Sequence, residues 1–220
     1  MADSRDVSNP IDRSAVTVWL TGVPGAGKTT LARRLRRALR EAGRAVSILD
    51  GDEVRKGLCA GLGFSQADRD ENVRRVAETA KILNDAGVYT VCALVSPTQA
   101  QRDNARSIVG TGRFICVYLN PPQSVCEKRD PKGMYREART GARPGFTGVG
   151  APYEVPRAPD LVIDTSTLSE AKATEAILAT LEPWRRVRHV PGRPKSGIAG
   201  TDLWHGSALA GVLPMSPSGH

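Results

Sequence analysis

Apolar residues in this chain gather in short continuous runs, separated by longer stretches where they recur every three or four positions. The runs are residues 16–20, 45–49, 88–95, 114–119 and 161–163. Their length and continuity predict strands covered on both faces, as in a parallel sheet. The stretches between them, 30–41, 67–86, 98–109, 122–129 and 169–181, read as helices. In the longest, Val73, Val76, Ala77, Ala80 and Leu83 fall on one stripe at helical spacing. Punctuation agrees with this division. Gly43 and Gly87 follow helices, Pro121-Pro122 opens one, and Ser96-Pro97 ends the third strand. Strands alternating with helices predict a three-layer α/β domain with a parallel, mostly five-stranded sheet between helices.

Residues 130–159 break the alternation: they carry Gly, Pro and charge with little apolar periodicity. So long an irregular stretch in a compact domain is usually functional, and about 130–150 reads as a lid. The polar segment 1–13 reads as flexible. The basic, Pro/Gly/Ser-rich segment 188–220 reads as a disordered tail, which leaves 14–187 as the folded domain. The 220 residues suit one such domain, and a 40% hydrophobic fraction supplies a core. The formal net charge of +8 points to anionic partners. Its basic residues are scattered along helices without interleaved aromatics, which argues against specific nucleic-acid recognition. The four cysteines, Cys59, Cys92, Cys116 and Cys126, form no C-x-x-C pair. Neither a zinc site nor a disulfide framework is expected, and a cytoplasmic setting is. No apolar run reaches membrane-spanning length and the N-terminus lacks a signal-peptide core, so no membrane role is expected.

Between the first strand and first helix lies Gly22-Val23-Pro24-Gly25-Ala26-Gly27-Lys28-Thr29, which fits G-x-x-x-x-G-K-[ST]. Glycines let backbone N–H groups turn inward around an anion, and the helix N-terminus adds partial positive charge there. Gly22, Gly25, Ala26, Gly27, Lys28, Thr29 and Thr30 are therefore the candidate ATP-phosphate site. Lys28 would reach the β- and γ-phosphates, and the Thr29 hydroxyl would hold Mg²⁺. The fold is thus expected to be that of the P-loop NTPases. Asp130-Pro131-Lys132-Gly133 matches D-x-x-G, but it lies inside the lid and no N-K-x-D follows, which excludes a GTPase. A compact kinase remains, with an acceptor beside the phosphates.

Asp50 and Asp52 stand at the end of the second strand, where α/β sheets place ligands. A carboxylate there can hold Mg²⁺ or accept a proton; alternatively, one of the two caps the helical turn that follows. Arg55, Arg69 and Asn72 form a polar set, and Arg69 and Asn72 share a face of the long helix. They would suit a phosphate or sulfate group. Equally, they could belong to a solvated face paired with Asp70 and Glu71.

Taken together, these stretches resemble the adenylylsulfate kinases of sulfate activation. The resemblance rests on residues 25–30 (Gly-Ala-Gly-Lys-Thr-Thr), Leu49-Asp50-Gly51-Asp52 with Arg55, and 62–65 (Leu-Gly-Phe-Ser). It continues through 68–75 (Asp-Arg-Asp-Glu-Asn-Val-Arg-Arg), Val95-Ser96-Pro97, 126–133, Gly145-Phe146-Thr147-Gly148 and Pro152-Tyr153-Glu154. It covers roughly 16–183. It implies transfer of a phosphoryl group from ATP to the 3′-hydroxyl of adenylyl sulfate, giving 3′-phosphoadenylyl sulfate. It implies catalytic work for Lys28, Asp50, Asp52 and Ser96, with Thr29 and Asp50 at the metal. Substrate contacts are implied for Asp52, Arg55, Phe64, Arg69, Asn72, Val95, Ser96 and Phe146. Phe64 and Phe146 would sandwich the acceptor adenine, although Phe146 could instead anchor its loop to the core. Ser96 is described in the family as a phosphoserine; in-line transfer needs no such intermediate, and a hydrogen bond to substrate is the preferred reading. Lys128, Arg129 and Lys132 would be lid cations, and a homodimer is implied. Pro144, Gly150 and Thr98 depart from the family pattern near the acceptor side. They keep open a kinase of a related nucleotide-like or specialised-metabolite hydroxyl. A catalytically silent nucleotide-binding regulator is a further alternative, against which the intact Lys28, Thr29, Asp50 and Asp52 speak.

Overall fold

Five parallel strands carry the architecture, in the spatial order β2-β3-β1-β4-β5. They are β1 (Thr17–Thr21), β2 (Val46–Asp50), β3 (Tyr89–Ala93), β4 (Phe114–Leu119) and β5 (Leu161–Ile163). The computed structural model describes residues 14–142 and 145–186, without the side chains of 182–186. The segments 1–13 and 188–220, and Pro144 with Arg143 before it, lie outside the described residues. The helices are α1 (Lys28–Glu41), α2 (Gly51–Val54), α3 (Gln66–Asp85), α4 (Gln99–Val109), α5 (Gln123–Arg129), α6 (Met134–Arg139) and α7 (Glu170–Arg186). None is long and apolar enough to cross a membrane among the described residues.

Alternation along each strand builds two cores, one on each face of the sheet. Val18, Leu20, Val91, Ile115 and Val117 face one cluster with Leu31 and Leu35 of α1 and Ile177 of α7. Trp19, Cys92, Phe114 and Cys116 face the other, with Val73, Val76 and Ala77 of α3 and Ala105 of α4. Trp19 and Phe114 lie with ring centroids 5.4 Å apart. The third strand stops at Ala93, two residues short of its apolar run; beyond it the Leu94 amide still donates to Leu20 O at 3.2 Å and Val95 O accepts from the Thr21 hydroxyl. On α3 the buried stripe follows Val73, Val76, Ala77 and Ala80, then shifts to Asn84. There Asn84 Oδ1 accepts a hydrogen bond from the Thr17 hydroxyl at 2.7 Å, and its Nδ2 donates to the Val88 carbonyl at 2.9 Å.

Within the expected lid the structure places a helix that the polarity pattern does not predict. Helix α6 is only six residues long, and Tyr135 is its one buried side chain. The N-cap position, Gly133, makes no side-chain bond; instead the Asp130 carboxylate, three residues earlier, accepts from the Tyr135 and Arg136 amides of the first turn. Register sets the working edge of the sheet: Asp50 pairs with Ala93, and Thr21 with Tyr118. The carboxyl ends of β1, β2, β3 and β4 thus meet where the strand order reverses about β1, the position at which open parallel sheets bind ligands.

Candidate active site

A cavity of about 1290 Å³ opens at that edge. One wall is the P-loop. Gly22 and Gly25 are needed for close approach: a Cβ would lie 2.6 Å from the Leu119 carbonyl oxygen at the first and 2.7 Å from that of Cys126 at the second, with φ at +149° and +77°. Helix α1 starts with no side-chain cap and no acidic residue in its first turn, so its leading N–H groups are free for an anion. Gly25, Gly27, Lys28, Thr29 and Thr30 line the cavity, whereas Gly22 and Ala26 shape the loop from behind.

The Lys28 ammonium donates to the carbonyl oxygens of Gly22 (2.8 Å) and Val23 (2.9 Å). Desolvation lowers its pKa to about 8, a shift partly opposed by Cys126, Asp50 and Asp52. The Thr29 hydroxyl donates to Asp50 Oδ2 at 2.6 Å. Asp50 Oδ1 accepts the Asp52 amide at 3.1 Å, so Asp50, not Asp52, caps the turn at α2. Asp52 is thereby free to face the cleft, where it pairs with Lys132, just before α6.

Opposite the P-loop, Arg55, Phe64, Arg69, Asn72, Val95, Ser96 and Phe146 line the same cavity. Arg55 donates to the carbonyls of Leu62 (3.1 Å) and Gly63 (2.9 Å). Arg69 donates to Phe64 O and Gly145 O, both at 2.9 Å. Both guanidiniums stand over the Phe64 ring, at 4.5 and 5.6 Å from its centroid. The solvated-face alternative is not what forms: Glu71 takes Arg74 and Arg75, and Asp70 takes Gln66 and Gln101. Burial and then the neighbouring Arg55 charge pull the Arg69 pKa down. Asn72 is buried, and its Nδ2 has no hydrogen-bond partner. A buried donor left open at a cavity wall is costly unless a ligand accepts from it.

The two phenylalanines differ. Phe64 is 59% exposed, whereas Phe146 is buried edge-on to Tyr135, with centroids 5.0 Å apart. Phe146 thus anchors its loop and still lines the cavity. Ser96 is buried, and its hydroxyl accepts from Trp19 Nε1 and donates to the Thr21 hydroxyl, both at 3.0 Å. Its φ of +37° makes it the only non-glycine in the left-handed φ range among the described residues. Such a conformation costs on the order of 1–3 kcal/mol and persists where surroundings over-determine it.

Of the lid cations, Arg129 and Lys132 line the cavity, while Lys128 is exposed outside its lining. Arg129 donates to the Thr165 hydroxyl (3.0 Å) and carbonyl (2.7 Å), and the Thr165 hydroxyl donates to Ala26 O at 3.0 Å. Helix α6 reaches the P-loop through the Tyr135 hydroxyl, which donates to Pro24 O at 2.9 Å. Two of the departures from the family pattern have local explanations. Thr98 forms a capping box with Gln101 at the start of α4. Gly150 closes a turn onto Phe146, its amide donating to the Phe146 carbonyl at 2.9 Å. Thr165, Leu168 and Gln101, which also line the cavity, carry no motif; only their place after a strand or at a helix start hints at a site.

Comparison with known proteins bears on this geometry. Residues 14–164 match the family model "Adenylylsulphate kinase". The chain belongs to the adenylylsulphate kinase family. It is 53% identical over 169 residues to an adenylyl-sulfate kinase of Shewanella denitrificans, covering 77% of this chain and 82% of that one. The structure of the Mycobacterium tuberculosis APS kinase CysC in complex with AMPPNP and APS superposes with a TM-score of 0.74 at 39% identity, covering 76% of this chain and 98% of that one. A hexameric APS kinase from Thiobacillus denitrificans aligns with a TM-score of 0.59 at 35% identity, over 79% of this chain and 30% of that one.

Proposed function

We infer that this chain is an adenylyl-sulfate kinase that transfers the terminal phosphoryl group of ATP to the 3′-hydroxyl of adenylyl sulfate, in the cytoplasm. The observation that carries the reading is a single cavity with uncapped α1 amides on one side and the Arg55–Arg69–Asn72 set on the other. The mycobacterial relative binds an ATP analogue and APS together. In this reading the P-loop amides and Lys28 hold the triphosphate, its oxygens replacing Gly22 O and Val23 O as ammonium partners. Arg55, Arg69 and the open Asn72 donor hold the acceptor, and Phe64 offers its exposed ring to a base. Val95 and Ser96 supply the backbone wall. The 3′-oxygen attacks the γ-phosphorus, the bond to the β-phosphate oxygen breaks, and Asp52 takes the hydroxyl proton. Lys132, and Arg129 beside the P-loop, stand where charge develops on the transferring group.

Among the described residues no cluster of three or more metal-ligating side chains occurs. Mg²⁺ at phosphoryl-transfer sites needs only one or two protein oxygens, the rest coming from phosphates and water. The Thr29–Asp50 pair fits that requirement. When bound there, Mg²⁺ would neutralise charge on the phosphate oxygens. Four buried free cysteines suit a reducing compartment. Assembly with further copies of itself, as a homodimer or larger, accompanies the reading, and size-exclusion chromatography with light scattering tests it. The assignment is tested by ADP release from ATP with and without adenylyl sulfate. Acceptor-dependent release supports it. Release that ignores adenylyl sulfate but responds to another hydroxyl compound overturns the acceptor, and no release at all favours a silent regulator.

A further inference from the structure

Arg102 lies on the apolar stripe of α4 with Ala105 and Val109 and is 2% exposed, yet no ion pair among the described residues includes it. Its guanidinium bridges two segments far apart in sequence. Nη1 donates to the Ser96 carbonyl at 2.7 Å; Nη2 donates to the Glu154 carbonyl at 2.8 Å and to Gln99 Oε1 at 3.1 Å. The Tyr153 ring lies 5.6 Å from its centre, and Nε has no partner. Burying a cation against neutral acceptors alone is costly, so the position calls for something only a planar fork of donors supplies.

What the fork joins is informative. Ser96 is the strained residue of the cavity wall, and Pro97 O accepts the Glu154 amide at 2.8 Å. Tyr153 shares a hydrogen bond with Thr21, whose hydroxyl donates to Val95 O at 2.7 Å. Toward the N-terminus the arm runs through Ala151, whose carbonyl accepts from Gly148, to the lid residue Phe146. We propose that Arg102 is a positioning residue for the acceptor: it locks the Val95-Ser96-Pro97 bend and the Tyr153-Glu154 arm into one unit, so that wall and lid exit present the acceptor in a single geometry. This rests on the acceptor reading above. Among the described residues, the hydrogen bonds and ring contact of Arg102 go to Ser96, Gln99, Tyr153 and Glu154 and not to the P-loop, so its influence falls on the acceptor and spares ATP.

Arg102→Lys keeps the charge and loses the fork; Arg102→Met loses both. Steady-state ADP release, varying each substrate in turn, is measured beside the unaltered chain. Arg102→Lys raises KM for adenylyl sulfate about tenfold or more, with KM for ATP within about twofold, and Arg102→Met exceeds it. Hydrogen exchange at the Glu154 amide quickens in Arg102→Lys. Should Arg102→Met fail to fold, the lysine variant decides. The proposal is overturned if the two KM values rise together, if neither moves, or if Glu154 exchange is unchanged. An unaltered chain that ignores adenylyl sulfate removes the acceptor reading and this one with it. An active unaltered chain with an unsplit lysine variant removes only the role of Arg102.

Discussion

In the proposed reading Lys28 ties the loop to its ligand. Its ammonium is held by two P-loop carbonyls, contacts that a phosphate can take over without moving the stem. Lys28→Ala should lower kcat by roughly 10²–10³-fold or more, measured by single-turnover assay. The burial that depresses this group to about 8 gives a pH dependence. Below about 8 the ammonium is charged in the free protein; above it the group is neutral and cannot hold phosphate. The kcat/KM for ATP should therefore fall as pH rises past about 8, by at most about tenfold per unit, since this parameter reports the free enzyme. The stability effect has the opposite sign. Between about 8 and the ordinary value of 10.5 the unfolded chain holds a proton the folded one lacks, so this lysine's burial penalty shrinks as pH rises. In the proposed reading Arg69 serves the other substrate, and Arg69→Ala removes its contacts to Phe64 O and Gly145 O. KM for adenylyl sulfate should rise about tenfold or more with that for ATP little changed, and equal changes would contradict the site.

Between elements, backbone packing against backbone decides the geometry. The P-loop rests on α5 at Gly25, where no Cβ fits beside the Cys126 carbonyl. Gly25→Ala combines an unfavourable positive φ with a 2.7 Å clash, and should cost about 2–4 kcal/mol in urea unfolding while weakening ATP binding. Helix α6 illustrates the opposite case, an element with almost no apolar signature. It is held by the Asp130 carboxylate on its first-turn amides and by Tyr135 reaching across to Pro24. One turn and a half with a single buried side chain offers no periodicity to read. Helices α1 and α3 could be read because many turns repeat one stripe.

Across the whole molecule, the P-loop and the Arg55–Arg69–Asn72 set share one cavity built from elements separated by more than a hundred residues. Ligands that bind only this assembled form should stabilise it. ATP with Mg²⁺ at about a hundred times its Kd would add about 2.7 kcal/mol. That corresponds to a Tm rise of roughly 5–11 °C for a domain of this size, read by scanning calorimetry and absent in Lys28→Ala. Sequence alone determined what is local: the five apolar runs and their covering helices, and the P-loop, whose glycines, lysine and threonine must keep a fixed spacing to surround a phosphate. It also marked Asp50, Asp52, Arg69 and Asn72 as candidates. Which of the two aspartates caps α2, where Arg69 points, and that Lys128 lies outside the cavity while Lys132 meets Asp52 were decided by the tertiary structure. So was the place of Arg102, whose partners lie six and fifty-two residues away. A hydrogen bond between distant segments leaves no spacing in the chain, because the distance that matters is set only when the strands align in register and the Tyr153-Glu154 segment meets the turn after β3.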